Sequence, residues 1–169
     1  AASKFPIGRD RPFPTLGPIA NQPQFEKILG FFESARQEGA TCLTGGERAS
    51  GDGLDQGLYI RPTIFTNVTE SMKVVREEIF GPVLSVMTFR TPQEAVTKAN
   101  NTEFGLSAGI WTEKGSRILK LADQLNAGVV WANTFNQFDP TSPFGGFKES
   151  GYGREGGKQG LAAYLKGGY

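Results

Sequence analysis

The segment VLSVMTFRTPQEAVTKANNTEFGLSAGIWTEKGSRILKLADQLNAGVVWA, residues 83–132, decides the fold. Val83 to Phe89 is a nearly continuous apolar run, the pattern of a strand buried on both faces. Thr91-Pro92-Gln93-Glu94 has the form of a capping box, and Ala95, Val96 and Ala99 give the following helix a modest apolar face. Ser107 to Trp111 is the next strand. Ile118, Leu121, Ala122 and Leu125 mark a second helix ended by Gly128, and Val129 to Ala132 is the third strand. The order β-α-β-α-β, with apolar strands and short links, predicts an α/β fold with an open, mostly parallel, doubly wound sheet of right-handed crossovers. In such sheets ligands sit beyond the carboxyl ends of the strands.

The third strand feeds into Asn133 and an aromatic-rich segment, so Trp131 to Glu155 (WANTFNQFDPTSPFGGFKESGYGRE) falls at that edge. It carries Phe135, Phe138, Phe144 and Phe147 through a region broken by Pro140, Pro143 and four glycines. Burying each ring is worth roughly 2–3 kcal/mol, so a loop rarely spends so many of them on water. Two readings compete: a packed loop over a sheet edge, and the lining of a concave apolar site. The position after the third strand favours the site.

Upstream, residues 1–20 read as irregular, with Pro6, Pro12, Pro14, Pro18, Gly8 and Gly17. Asn21-Gln22-Pro23-Gln24 starts a helix: Asn as N-cap, Pro in the first turn, Gln at the capping-box position. Phe25, Ile28, Leu29, Phe32 and Ala35 form its apolar face and Gly39 closes it. Thr41 to Thr44 is a short strand containing Cys42, Gly45 to Gly57 a glycine-rich turn, and Leu58 to Val68 an extended run divided by Pro62. A short final helix is expected through Gly160 to Leu165. No internal repeat, low-complexity segment or domain-dividing linker stands out.

The chain has 169 residues, enough for one domain with a real core. Lys+Arg is 18 and Asp+Glu is 17, and a net charge of +1 gives no basic field for nucleic acid. No apolar run approaches the ~20 residues that span a bilayer, and no signal-peptide core follows Ala1. The single cysteine excludes an intrachain disulfide and fits a reducing, cytoplasmic setting. The absence of histidine removes Ser-His-Asp catalysis, histidine-based metal sites and the usual neutral-pH base.

Gly151-Tyr152-Gly153-Arg154-Glu155-Gly156 matches G-x-G-x-x-G, but the dinucleotide fingerprint needs a strand before it and an acid about 20 residues on. A tight turn is the better reading. Glu77-Glu78-Ile79-Phe80-Gly81-Pro82 reads as a rigid corner able to aim Glu78 at a sugar hydroxyl, or as a solvated turn. Cys42 has no neighbour in sequence that would activate it, so packing is expected of it rather than nucleophilic chemistry.

EEIFGPV at 77–83, NNTEFGLSAGIWT at 100–112 and PFGGFKESGYGREGG at 143–157 together resemble the aldehyde dehydrogenase superfamily, as do LGPI at 16–19 and RPTIF at 61–65. The resemblance covers about residues 15–165. It implies the family's Rossmann-like catalytic-domain sheet, here incomplete, and oxidation of aldehydes to acids with NAD or NADP through a cysteine thioester. It implies that Glu78 hydrogen-bonds the nicotinamide ribose, that Phe80 lies by the nicotinamide, and that Phe144 and Phe138 line the substrate pocket. It makes Glu155 a buried carboxylate in a proton relay, and implies no metal.

The departures bear on activity. In the family the nucleophilic cysteine, the oxyanion-hole asparagine, the general-base glutamate and the cofactor domain precede the matching segment. Cys42, in GATCLTGGER, does not fit the nucleophile's motif, so this chain alone is expected to be inactive. Residues 1–14 fit poorly, and Lys166-Gly167-Gly168-Tyr169 reads as the truncated start of an oligomerisation strand. The expected partners are an aldehyde substrate and the missing N-terminal part or sister subunits of a homo-oligomer, with no nucleic acid and no membrane. Trp131, Phe138 and FNQFDP resemble betaine-aldehyde-type members. The alternative is a truncated, non-catalytic paralogue, or half of a split enzyme acting as an assembly module.

Overall fold

Asn21 opens the first helix as its spacing predicts. Its side-chain oxygen accepts the Gln24 backbone N–H at 2.9 Å, Pro23 lies in the first turn, and α1 runs Gln22–Gln37. The structure, a computed structural model, describes residues 2–8 and 15–166. The buried face of α1 is Phe25, Ile28, Phe31, Phe32 and Ala35, so Phe31 is buried where Leu29 was expected and Leu29 is only half-buried. Gly39, at φ +88°, follows the helix in the left-handed region that glycine reaches at no steric cost.

The chain divides into two compact units, Ala1–Thr88 and Phe89–Tyr169. In the first, β1 (Thr41–Thr44) pairs antiparallel with β2 (Thr63–Thr66), and β2 pairs parallel with β3 (Val83–Ser85). The core joins the α1 face to Ile60, Phe65, Val68, Met72, Val74 and Ile79, with Phe32 and Phe65 ring centroids 6.0 Å apart. Pro62 does divide its extended run: Ile60 bridges to Arg48, and β2 begins at Thr63. Buried Thr63 is satisfied, its hydroxyl accepting from Gly46 N–H at 2.8 Å and donating to Arg61 O at 2.7 Å. The irregular start contains a 3-10 turn at Ala2–Lys4 and an Ile7–Leu16 bridge, while Pro12 and Pro14 lie outside the described residues.

One expectation is corrected in this unit. The Val83 to Phe89 run is a strand for three residues only, with Leu84 56 % exposed and Val86 and Phe89 also exposed. The described hydrogen bonds pair β3 with β2 alone, and Leu84 alternates outward between half-buried Val83 and Ser85. A four-residue helix, α2 (Lys73–Arg76), also forms where its length gives no periodicity to read.

In the second unit Thr91 caps α3 (Pro92–Asn100) by accepting Glu94 N–H at 3.1 Å. The Glu94 carboxylate accepts from Arg90 N–H at 2.8 Å, one residue earlier than a standard box. β5 (Ser107–Ile110) and β6 (Val129–Ala132) are parallel, Ser107 opposite Val129 and Ile110 opposite Ala132. They flank α4 (Gly115–Ala122), which stops short of Gly128. β4 (Phe104–Gly105) and β7 (Phe147–Lys148) form a separate antiparallel pair, and α5 is Gly157–Ala162, three residues earlier than expected. Residues 167–169, read as the start of an oligomerisation strand, lie outside the described set. The fold is therefore α/β with mixed and parallel sheets, and Val83, which the sequence order joined with Ser107 and Val129, is hydrogen-bonded to β2. No helix among the described residues is long and apolar enough to cross a membrane.

Candidate functional site

Two constellations carry the residues singled out in the sequence, one in each unit. In the first, α2 ends at Arg76 and the chain turns through Glu77 to Pro82. Ile79 is buried in the core and anchors the turn. Phe80 next to it takes φ +54° and leaves its ring 76 % exposed. A bulky residue in that region costs on the order of 1–3 kcal/mol, and such outliers concentrate at sites where the surroundings hold them.

The hold is visible. Gln24 Nε2 donates to Ile79 O at 2.7 Å and to Phe80 O at 3.0 Å, and Lys27 Nζ donates to Glu78 O at 3.2 Å. Gln24 therefore does not close a capping box, as the sequence suggested, but reaches across to the corner. A Cβ on Gly81 would stand 2.6 Å from Ile28 Cδ1, and Pro82 O accepts Thr63 N–H at 2.9 Å. Glu78 is exposed, and its carboxylate has no hydrogen bond or ion pair among the described residues. A free acceptor beside an open aromatic face suits a ribose diol and a planar heterocycle.

In the second unit β6 delivers Trp131, 9 % exposed, to the centre of an aromatic cluster. Its ring lies 4.8 Å from Phe135 and 5.6 Å from Phe138, both edge-on, and 6.5 Å from Phe144, stacked. Phe138 and Phe144 touch at 5.0 Å, and Trp111 stacks on Phe135 at 6.5 Å. The indole N–H donates to Gln137 O at 3.2 Å, which folds the loop back over the strand that begins it. Phe135 and Phe138 remain 51 % and 58 % exposed, so the cluster presents an apolar surface rather than a sealed core.

The backbone is fixed at several points. Asn133, at φ +56°, accepts Thr112 N–H at 2.8 Å and donates to Thr112 O at 3.0 Å through its side-chain amide. It thus mimics one more rung of the β5–β6 ladder. Phe144 and Glu155 exchange both backbone hydrogen bonds at 2.7 Å. Arg154 Nη1 donates to Gly146 O and Gly153 O, each at 2.8 Å, and its guanidinium covers Phe147 at 5.2 Å. Lys148 Nζ donates to Asn100 O at 3.0 Å and Thr102 O at 2.9 Å, tying β7 to the end of α3. Asp139 accepts Thr141 N–H and Oγ1–H, both at 2.8 Å, and these bonds hold its carboxyl below the usual range.

Two sequence readings change here and a third holds. Glu155, expected to be buried, is exposed; its backbone is committed to Phe144, and nothing among the described residues covers its carboxylate. Cys42, expected to be packed, is exposed, with its thiol donating to Thr44 O at 3.2 Å. Gly151 closes a tight turn, its N–H bonded to Lys148 O at 3.1 Å, and Gly156 precedes α5, so the tight-turn reading held at Gly151. No group of three acidic, thiol or imidazole side chains among the described residues could hold a metal. Sequence reasoning missed Gln24, Lys27, Arg154 and Lys148 as builders of these sites, because their partners are far away in sequence or are backbone carbonyls.

The aromatic cluster follows the parallel β5–β6 pair at the edge where open α/β sheets place ligands. The chain belongs to the aldehyde dehydrogenase family, whose sequence profile matches residues 1–167. It is 46 % identical over 149 residues to betaine aldehyde dehydrogenase of Brucella anthropi, covering 88 % of this chain and 31 % of that protein. It is 45 % identical over 151 residues to a mitochondrial aldehyde dehydrogenase of Leishmania tarentolae, covering 89 % and 30 %. Betaine aldehyde dehydrogenase of Staphylococcus aureus, solved in complex with NAD+, superposes with a TM-score of 0.93 at 38 % identity, covering 98 % of this chain and 33 % of that one. The chain thus spans about a third of the length of these relatives.

Proposed function

We propose that this chain supplies the nicotinamide-positioning corner and the aldehyde-pocket wall of an NAD(P)-dependent aldehyde dehydrogenase. Glu78 hydrogen-bonds the nicotinamide ribose and Phe80 lies against the nicotinamide ring. Phe138 and Phe144, braced by Trp131, line the aldehyde pocket, exclude water and seat an apolar carbon chain. Glu155 is a candidate for proton relay. When bound, the cofactor accepts the hydride. The chain's own residues orient it and the substrate. The nucleophile and the general base come from outside residues 1–169, since Cys42 does not fit the nucleophile's motif and its thiol is directed at Thr44 O. The complete enzyme works with the missing N-terminal part and as a homo-oligomer.

The observation that carries this reading is Phe80: an exposed ring on a left-handed backbone, beside an unpaired Glu78 carboxylate. In the enzyme containing this chain, Glu78→Gln should slow the pre-steady-state burst of NADH by about tenfold or more while changing cofactor affinity little. An unchanged burst with a large rise in cofactor Kd would refute the positioning role. An assembly module is the second reading, favoured by the exposed rings of Phe135 and Phe138.

A further inference from the structure

We infer that Gln24 is a positioning residue for the Glu78–Phe80 corner, assisted by Lys27, so that one face of α1 serves as the mould of the cofactor-facing turn. This deepens the proposed function and rests on its assignment of Glu78 and Phe80. Three successive carbonyls, those of Glu78, Ile79 and Phe80, are taken up by two side chains one helical turn apart. Ile28, next on the same face and fully buried, leaves no room for a Cβ on Gly81. Residue 78 is thus held by Lys27, residues 79 and 80 by Gln24, and residue 81 lies against Ile28.

The chemistry selects glutamine. Its Nε2 carries two hydrogens, and here it bonds two acceptors at 2.7 and 3.0 Å. Phe80 at φ +54° returns to an ordinary backbone conformation unless it is held, and that rotation swings the carbonyls on either side of it away from one shared donor. The two bonds thus exist only in the strained conformer and favour it. Gln24 is half-buried, which weakens the competition from water. Its N-cap neighbour Asn21 caps α1 through its own side chain, so Gln24 is not needed to begin the helix.

The test uses the enzyme that contains this chain. Gln24→Glu keeps size and removes both donors. The NADH burst should fall about tenfold, the fold-change expected from losing two ordinary hydrogen bonds, while cofactor Kd moves less than about threefold. Amide exchange should quicken across residues 77–82 and stay unchanged in α1. Lys27→Met, at an exposed position that leaves folding intact, should give a smaller loss in the same direction. Gln24→Glu combined with Glu78→Gln should lose less than the product of the two single losses, because Gln24 acts in part through Glu78. Unchanged exchange at 77–82 with a normal burst in Gln24→Glu, or losses that multiply in the double variant, overturns the inference. If Glu78→Gln itself leaves the burst unchanged, the ribose assignment falls, and faster exchange at 77–82 in Gln24→Glu would still uphold the latch.

Discussion

Gly128 sits where two backbones meet, and its replacement by alanine gives a sharp test of how the aromatic loop is held. A Cβ there would lie 1.8 Å from Gly145 O and 3.1 Å from Gly146 Cα. Real Cβ contacts essentially never fall under 3.0 Å, so the 145–146 backbone must retreat by about 1.2 Å. It cannot retreat freely, since Arg154 Nη1 holds Gly146 O at 2.8 Å and Phe144, next to Gly145, is paired with Glu155. The displacement therefore passes to Phe144, directly before Gly145, and to its two hydrogen bonds with Glu155. Overpacking against backbone costs about 3 kcal/mol, and a shift of about 1 Å at a positioned group costs on the order of 100-fold in rate. Urea unfolding followed by tryptophan fluorescence measures the first, and kcat/KM with an apolar aldehyde in the complete enzyme measures the second. Gly153→Ala is the control from the same loop, with open space around the added methyl, and should change stability by less than about 0.5 kcal/mol. Equal behaviour of the two variants would refute the account of close approach at Gly128.

Further outcomes follow from particular contacts. Asn21→Ala removes the α1 cap and should cost about 1 kcal/mol in chemical denaturation, with Asn21→Ser nearly neutral. The Glu94 carboxyl is held below its ordinary value, first by the hydrogen bond from Lys98 and then by Arg90 N–H. A lowered folded value means that its contribution is present above pH 4.5 and fades as pH falls through the folded value, so Glu94→Gln should reduce the acid sensitivity of α3 followed by circular dichroism. Aldehyde-dependent NADH formation by the purified 169-residue chain should be absent; turnover abolished by Cys42→Ala would make Cys42 the nucleophile. The exposed rings of Phe135 and Phe138 should drive self-association detectable by light scattering, and a stable monomer with residues 134–150 well protected from exchange would contradict that.

Much of this was legible locally. The α1 cap and apolar face, the β1 strand, the parallel β5–α4–β6 unit and the aromatic segment all follow from spacing of a few residues, because periodicity and capping are short-range physics. What escaped depends on distant partners. Nothing in VLSVMTF says that its first three residues pair with β2 while Leu84 remains exposed. Nothing around Gln24 says that it spans 55 residues to reach Ile79 O. The left-handed backbone at Phe80 is unreadable for the same reason: no local preference of phenylalanine favours it, and contacts from α1 and β2 hold the corner. Family resemblance supplied Glu78, Phe80, Phe138 and Phe144 as residues to examine, whereas the physical case for each came from the fold.

The central claim is that Glu78 and Phe80 touch the nicotinamide riboside. A crystal structure of the enzyme containing this chain, grown with NAD+, tests it directly. The account predicts a Glu78 carboxylate oxygen within about 3.2 Å of a ribose hydroxyl, with Phe80 still left-handed and its ring against the nicotinamide. A well-ordered cofactor whose ribose lies away from Glu78, with the Phe80 ring in solvent, would contradict it.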